Sequence, residues 1–206
     1  DYVTLKYNAA GLQQWVALYD GPGHDEDQAA GLTVDRAGNV TVTGFSMNEN
    51  FNRDCATIRY ASSGLRKWVA RYNGIAELDD QGTGVVTDEA GGAIVTASSI
   101  DPFNAQTIVT LRYSSAGAEQ WAVSFSGSGD NIPVSILPDR AGGAFIAAEA
   151  DETGQPSKYL TLHYNGNGSL AWSRIYADPG GGNAQVVGCA DDGSGNVYTG
   201  GSAPGS

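Results

Sequence analysis

The chain has 206 residues, of which only 17% are charged, and it carries a formal net charge of −12 at pH 7. This acidity argues against nucleic acid and anionic membrane surfaces as partners, because both require clustered Lys and Arg side chains. No apolar run approaches the roughly 20 residues that a membrane-spanning helix needs, so membrane insertion is not expected. The length suits one domain or one repeat array with a buried core.

The first predicted element is the alternating strand DYVTLKY, which opens a segment that the chain repeats. Residues 5–19, LKYNAAGLQQWVALY, recur in similar form at residues 58–72, 111–125 and 162–176. In each copy a tryptophan follows a tyrosine by eight residues and precedes another aromatic residue by four. These tryptophans are Trp15, Trp68, Trp121 and Trp172, and 53, 53 and 51 residues separate them. A period of this length predicts a repeat architecture.

The next element is a second recurring motif, VDRAGNVTVTG, at residues 34–44. Its DRAGN core returns as DEAGG, DRAGG and DGSGN at residues 88–92, 139–143 and 192–196. An Asp three residues before a Gly, between apolar segments, predicts a hairpin turn in which the carboxylate accepts backbone amides and Gly adopts a positive φ. A calcium loop would carry further oxygen ligands at alternate positions, whereas the third position of these motifs is Ala in three copies and Ser in the fourth.

Each repeat resolves into four short predicted strands, and a unit of this size matches a propeller blade. We therefore predict an all-β fold, a β-propeller built from four repeats of about 52 residues, with units at approximately 1–53, 54–105, 106–157 and 158–206. No amphipathic helix is expected. The tryptophans are predicted to lie in the interfaces between blades, because large aromatic side chains bury much apolar area there.

The chain begins with the third and fourth strands of a repeat and stops after the first and second strands of another. Pairing of these two halves would complete a fourth blade and close the ring, which removes exposed strand edges. Two alternatives stay open at this point. The array belongs to a larger ring, or two chains associate as a homodimer that forms an eight-bladed ring.

The segments DQAAGLTVDRAGNVTVTG and DCATIRYASSGLRKWVARYNG closely resemble the SBBP family of bacterial β-propeller repeats, and the likeness covers essentially the whole chain. The third repeat departs from the pattern with Ala148 where Gly44 stands in the first, and the fourth departs in DPGGGNAQ. The resemblance implies secreted or surface proteins, often with several domains, and no shared activity or catalytic residues. The strand order also resembles the NHL-repeat propellers, whose members mostly bind partners.

The loops before each first strand, and those between second and third strands, are predicted to meet at one face of the propeller. By count, 15 of the 23 acidic residues lie in or beside these loops. Carboxylates suit Ca²⁺, which prefers oxygen ligands, and the candidate metal ligands are Asp25, Glu26, Asp27, Asp79 and Asp80. The wider candidate ligand face comprises His24, Gln28, Gln81, Asp101, Asp130, Asn131 and Asp151.

Three functional interpretations follow from this acidic face. Its charges solvate the repeat, or they bind Ca²⁺ or a protein or carbohydrate partner, or two carboxylates act as a glycosidase or lyase pair. The sequence contains no catalytic triad, zinc-ligand spacing or phosphate loop that indicates an enzyme. We therefore expect an extracellular or cell-surface binding or scaffold module without catalysis, and the carbohydrate-active enzyme is the alternative.

Overall fold

The computed structural model describes residues 1–203, and every regular element in that range is a β-strand, which confirms the all-β prediction. The strands are β1 (Tyr2–Tyr7), β2 (Gln13–Tyr19), β3 (Asp27–Val34), β4 (Val40–Met47), β5 (Arg53–Tyr60), β6 (Arg66–Tyr72), β7 (Asp80–Thr87), β8 (Ala93–Ile100), β9 (Gln106–Tyr113), β10 (Glu119–Phe125), β11 (Asp130–Pro138), β12 (Ala144–Asp151), β13 (Lys158–Tyr164), β14 (Leu170–Tyr176), β15 (Gln185–Asp191) and β16 (Val197–Ser202). None of the described residues forms a helix that could cross a membrane.

Neighbouring strands pair antiparallel as meanders. Strands β3–β6, β7–β10 and β11–β14 form three four-stranded sheets, while β1–β2 and β15–β16 form two-stranded sheets at either end of the described chain. The register repeats from sheet to sheet, and a bulge recurs between the first and second strands, at Ala29–Gly31, Gly82–Gly84 and Pro133–Ser135. The repeat in the sequence is therefore a repeat in strand pairing.

The sheets pack against each other in chain order. The first strand of each sheet lies on the preceding one, since β7 contacts β3, β4 and β5, β11 contacts β7, β8 and β9, and β15 contacts β11, β12 and β13. In the four-stranded sheets the second and third strands are the most buried, and β4 and β5 are buried on both faces. Burial on both faces explains why segments such as VTVTGF carry small or apolar residues at successive positions instead of alternating with charges.

Three of the four tryptophans occupy equivalent positions between consecutive sheets. The indole N–H of Trp15 donates to the carbonyl of Ser62 in the following sheet (3.0 Å), and Trp68 and Trp121 donate in the same way to Ser115 and Gly166. Each indole also covers a turn glycine of that sheet: a Cβ on Gly117 would lie 2.6 Å from Trp68 Cγ. The predicted interface role is confirmed for these three, whereas Trp172 packs on Phe145 and His163 of its own sheet.

The outermost strands of the array leave apolar side chains in water. Leu5 on β1 is 44% exposed, whereas Ile58, its equivalent on β5, is fully buried between two paired strands. Val3 and Tyr7 are exposed in the same way. Within residues 1–203, β1 pairs only with β2 and β16 only with β15, so the structure is an open array of propeller-like sheets with an unpaired edge at each end.

Candidate functional site

The two ends of the sheets are connected in different ways. At the turn end, the described chain makes eight five-residue turns, each with a positive-φ glycine at its fourth position: Gly11, Gly38, Gly64, Gly91, Gly117, Gly142, Gly168 and Gly195. At the opposite end, here called the loop end, the connections between β2 and β3, β4 and β5, and their equivalents vary in length and sequence. The predicted ligand face corresponds to the loop end.

The turns confirm the hairpin interpretation of the DRAGN motif. Asp35 accepts hydrogen bonds from the backbone amides of Ala37 and Asn39, at 2.9 and 2.8 Å, and Gly38 adopts a φ of 79°. Asp139 makes the same pair of contacts with Ala141 and Gly143. The motif is a turn, and its carboxylate closes it.

These aspartates have a second contact that the sequence analysis missed. Asp35 pairs with the buried guanidinium of Arg59, and the corresponding residues Asp88 and Arg112 pair at 2.7 Å. Burial alone would raise the pKa of Asp35, but hydrogen bonds from Asn39 and the charge of Arg59 outweigh it and lower that pKa. A constant spacing of 24 residues between the partners was the available signal.

A cleft of about 830 Å³ lies among the sheets at the turn end, and residues of five of the eight turns line it. Its lining includes the Asp35–Arg59 pair together with Asp139 and His163, whose side chains lie 2.8 Å apart. His163 also stacks on Phe145, with ring centroids 4.2 Å apart. Two pairs of charged lining residues, Asp35 with Arg59 and Asp139 with His163, are therefore engaged with each other.

The loop end holds all of the formal net charge. Sixteen of the 23 acidic residues lie in the loops there or in the adjoining halves of the strands: Asp1, Asp20, Asp25, Glu26, Asp27, Glu49, Asp54, Glu77, Asp79, Asp80, Asp101, Asp130, Glu149, Asp151, Glu152 and Asp178. Four of the 11 Lys and Arg residues accompany them: Arg53, Arg71, Lys158 and Arg174. The other seven acidic and seven cationic side chains balance each other at the turn end, so the acidic face follows from the topology.

Two predicted metal ligands at the loop end hold the loop backbone. The amide of Gly21 donates to Asp27 (2.9 Å), and the amide of Gly74 donates to the equivalent Asp80 (2.6 Å). Both carboxylates are buried, and in each the second oxygen has no hydrogen-bond partner. Burial raises the pKa of Asp80 above its usual value despite the hydrogen bond from Gly74.

Two further acidic candidates tie neighbouring sheets together. Asp79 accepts a hydrogen bond from the backbone amide of Arg53 in the preceding sheet (3.0 Å), and Asp130 accepts one from Gln106 (2.8 Å). Asn183 makes the same contact with Ser157. This acceptor fixes each loop at the start of a sheet to the third strand of the sheet before it.

The remaining candidates lie at the loop end in different environments. Asp25, Glu26, Gln28 and His24 are exposed, and His24 lies 2.7 Å from Asp20. Gln81 and Asp151 are half-buried. Asp101 accepts hydrogen bonds within the β8–β9 turn, and the buried Asn131 donates to the carbonyl of Gly129. The structure therefore gathers the candidates at one end without converging them on one point.

One group of three carboxylates lies close enough to share a cation, within the described part of the chain. Asp1, Asp20 and Asp27 have oxygens within 4.8 Å of one another, and sequence reasoning had selected only Asp27. Asp80 also has an unpartnered buried oxygen but belongs to no such group, so that feature is a property of the repeat. Calcium binding stays a prediction, checked by whether Ca²⁺ raises the melting temperature.

Exposed apolar side chains at the loop end were also missed by the sequence analysis. Phe51, Ile75, Leu78 and Phe103 all project from loops there. The signal was present for Phe51, because it occupies the fourth position of a five-residue turn, where the turn end has glycine. Phe51 is therefore not part of the chain's own core.

Comparison with known proteins adds no family assignment to this geometry. A scan against protein-family models finds no match for the chain, and a search of curated proteins finds no match either.

Proposed function

We propose that this protein is a β-propeller module that binds a partner through its loop end. The observation that carries the proposal is the charge separation, with sixteen acidic and four cationic side chains at the loop end and a balanced turn end. A single-signed surface attracts and orients an oppositely charged partner. The backbone contacts of Asp79 and Asp130 hold the loops in place, which lowers the ordering cost of binding.

The module acts as a binding or scaffold unit of an extracellular or surface protein. This location is supported by the resemblance of its repeats to the SBBP family. The carbohydrate-active alternative has less support, because Asp27 and Asp80 are buried and hold backbone amides. A hydrolytic carboxylate has to reach the substrate from an open site.

The ring of the propeller closes, in this proposal, by pairing of a β16 edge with a β1 edge. The repeat places Val197 and Tyr7 in the positions of Val40 and Tyr60, which face each other in β4 and β5. That pairing would bury Leu5 as Ile58 is buried. It would also place Lys6 and Asp192 in the positions that Arg59 and Asp35 occupy in a complete sheet.

The mass in solution separates the routes to closure. One chain with its edges protected from hydrogen exchange corresponds to a four-bladed ring, and two chains correspond to an eight-bladed ring. An edge on β1 that exchanges freely in both cases contradicts closure by this chain and leaves association with the rest of a larger ring as the remaining route.

Matched charge variants test the binding proposal. One variant carries Asp25→Asn, Glu49→Gln and Glu77→Gln at the loop end, and its control carries Glu89→Gln, Glu119→Gln and Asp191→Asn at the turn end. The probe is a fluorescent peptide in which Lys alternates with Ser. The loop-end variant is expected to bind it about tenfold more weakly at low salt, since each exposed charge contributes roughly 0.5 kcal/mol. Equal weakening by the control variant would contradict the proposal.

A further inference from the structure

Two connections at the loop end copy the geometry of the turn end. In the β4–β5 turn, Asn48 accepts hydrogen bonds from the amides of Asn50 and Asn52, at 2.9 and 3.1 Å. In the β8–β9 turn, Asp101 accepts from Phe103 and Ala105, at 2.9 Å each. These are the contacts that Asp35 makes in the DRAGN turn.

At the fourth position of the β4–β5 turn, Phe51 adopts a backbone conformation that is unfavourable for phenylalanine. Phe51 has a φ of 63°, in the left-handed region that glycine occupies in all eight turn-end turns of the described chain. The β8–β9 turn has Asn104 there, also at 63°, and Asn tolerates this region. A phenylalanine does not, because its Cβ approaches the following carbonyl oxygen.

Burial of the ring does not offset this strain. Phe51 is 72% exposed, so the side chain remains largely in water. A strained backbone together with an exposed aromatic ring gives folding no advantage over glycine at this position. Strained residues of this kind concentrate at ligand-binding segments.

Two hydrogen bonds fasten the β4–β5 turn to the β6–β7 loop. Asn52 donates from Nδ2 to the carbonyl of Glu77 (2.7 Å), and the amide of Arg53 donates to Asp79 (3.0 Å). The β6–β7 loop carries Ile75, which is 92% exposed, and Leu78, which is 40% exposed. Phe51, Ile75 and Leu78 therefore project from two connected loops, and we call them the Phe51 patch.

The Phe51 patch is surrounded by negative charge. Glu49 lies in the same turn as Phe51, and Glu77 and Asp79 lie in the same loop as Ile75. Nearby cations are engaged, since Arg71 pairs with Asp54 and the Arg53 guanidinium lies over the Phe45 ring at 4.3 Å. A complementary partner therefore presents cations around an apolar side chain.

We propose that the Phe51 patch is the anchor of a docking site for a cationic polypeptide segment that also carries apolar side chains. This inference rests on the proposed function and names the chemistry of the partner. The apolar patch supplies affinity by burial, as anchors at protein interfaces do. The acidic rim steers the segment to the site and rejects acidic partners.

Phe103 provides a matched control. It is as exposed as Ile75, but it lies in the β8–β9 turn, whose left-handed position is taken by Asn104. That turn is fastened through Gln106 to Asp130, beside a β10–β11 loop of small and polar residues, Ser126 to Gly129. Phe103 thus shares exposure and charge with Phe51 and lacks the apolar neighbours.

The test compares two fluorescent peptides of equal charge, one with Lys alternating with Leu and one with Lys alternating with Ser. The wild-type chain is expected to bind the Lys–Leu peptide at least about tenfold more tightly, the effect of burying one large apolar side chain. Phe51→Gly is expected to abolish that preference while raising the melting temperature by about 2 °C, because it relieves the left-handed strain. Phe51→Asn, which copies Asn104, should do the same, and Phe103→Ser should retain the preference.

The opposite results would overturn the inference. These are equal binding of the two peptides by the wild-type chain, an unchanged preference in Phe51→Gly, or binding of a neutral polysaccharide in place of both peptides. Failure here is distinguishable from failure of the proposed function. The chain could bind the Lys–Ser peptide in a salt-sensitive way that depends on the loop-end acids, and show no preference for the Lys–Leu peptide. That result would support the proposed function and would show that the Phe51 patch is not an anchor.

Discussion

The two ends of the sheets are built from the same strands but differ in strain and charge. At the turn end, glycine takes each left-handed position and cations match acids in number. At the loop end lie all four positive-φ residues other than glycine in residues 1–203, namely His24, Phe51, Glu77 and Asn104. Both features of the turn end favour the folded state. The loop end retains features that cost stability, and such features are usually kept for function.

The same residue type behaves differently at the two ends. Asp35 at the turn end has a cationic partner, and its pKa is lowered. Asp80 at the loop end is buried with one backbone amide and no cation, and its pKa is raised. A buried carboxylate therefore supports the fold where a cation accompanies it, as at Asp35, and opposes it where none does, as at Asp80.

Removal of the cation at the turn end should give the largest effect. Arg59→Ala is expected to lower the free energy of unfolding by about 3–5 kcal/mol, because it leaves the Asp35 carboxylate partly buried without its partner. Urea unfolding measures this loss. The control is Arg36→Ala, which removes an exposed cation from the same turn as Asp35, with an expected change below about 0.5 kcal/mol. Similar losses in the two variants would show that the Asp35–Arg59 pair does not stabilise the turn end.

Alanine substitutions at two turn glycines should give an intermediate effect and test the array as well. Gly117→Ala is expected to cost about 3 kcal/mol, from left-handed strain and from a Cβ that would lie 2.6 Å from Trp68 Cγ. Gly11→Ala has the same strain but nothing within 4 Å of its Cβ, so the expected cost is about 1 kcal/mol.

Thermal and urea unfolding of the two glycine variants decide between open and closed arrays. In the proposed closed ring, Trp172 covers Gly11 as Trp68 covers Gly117, and the two costs become equal. A larger cost at Gly11 than at Gly117 would contradict both arrangements.

Removal of a buried charge at the loop end should give the smallest effect, with the opposite sign. The folded-state pKa of Asp80 lies above the unfolded one, so its ionised form reduces stability at neutral pH, and the loss is relieved as pH falls through the folded-state pKa. Asp80→Asn is therefore expected to raise the free energy of unfolding at pH 7 by less than about 1 kcal/mol.

The gain from Asp80→Asn should disappear in acid, and urea titrations at several pH values measure it. The repeat supplies the reverse substitution as a control, since Asn131 occupies the equivalent position. Asn131→Asp should lower the free energy of unfolding at neutral pH, and this loss relative to the wild-type chain should be smaller in acid. A gain for Asp80→Asn that is independent of pH would show that the carboxylate charge is not the cause.

Much of the fold could be predicted because its signals are local and repeated. Alternation predicted the strands, and an Asp three residues before a Gly predicted the turns. The Asp35–Arg59 pair was missed, because its partners meet only after three strands have been laid side by side. Whether the ring closes depends on how whole sheets are placed, and no short motif encodes that.

The sequence predicted at which end of the sheets the candidate residues lie, but it did not predict which groups they contact. The acidic loops do lie at one end, since strand direction alone determines this. Sequence spacing does not reveal which carboxylates turn inward, so it did not show that two of the candidate ligands, Asp27 and Asp80, also hold the amides of Gly21 and Gly74. Phe51 was overlooked because the sequence gives the residue type but not the backbone conformation, and the positive φ of Phe51 is known only from the structure.

The tryptophan contacts give the array a direction of growth. The indoles of Trp15, Trp68 and Trp121 each reach forward to a glycine turn of the following sheet, and that sheet offers the turn to the one behind it. A duplicated unit therefore brings both halves of its junctions with it, and insertion of a copy needs no compensating change in its neighbours. A chain with one more or one fewer unit would keep every joint between adjacent sheets intact.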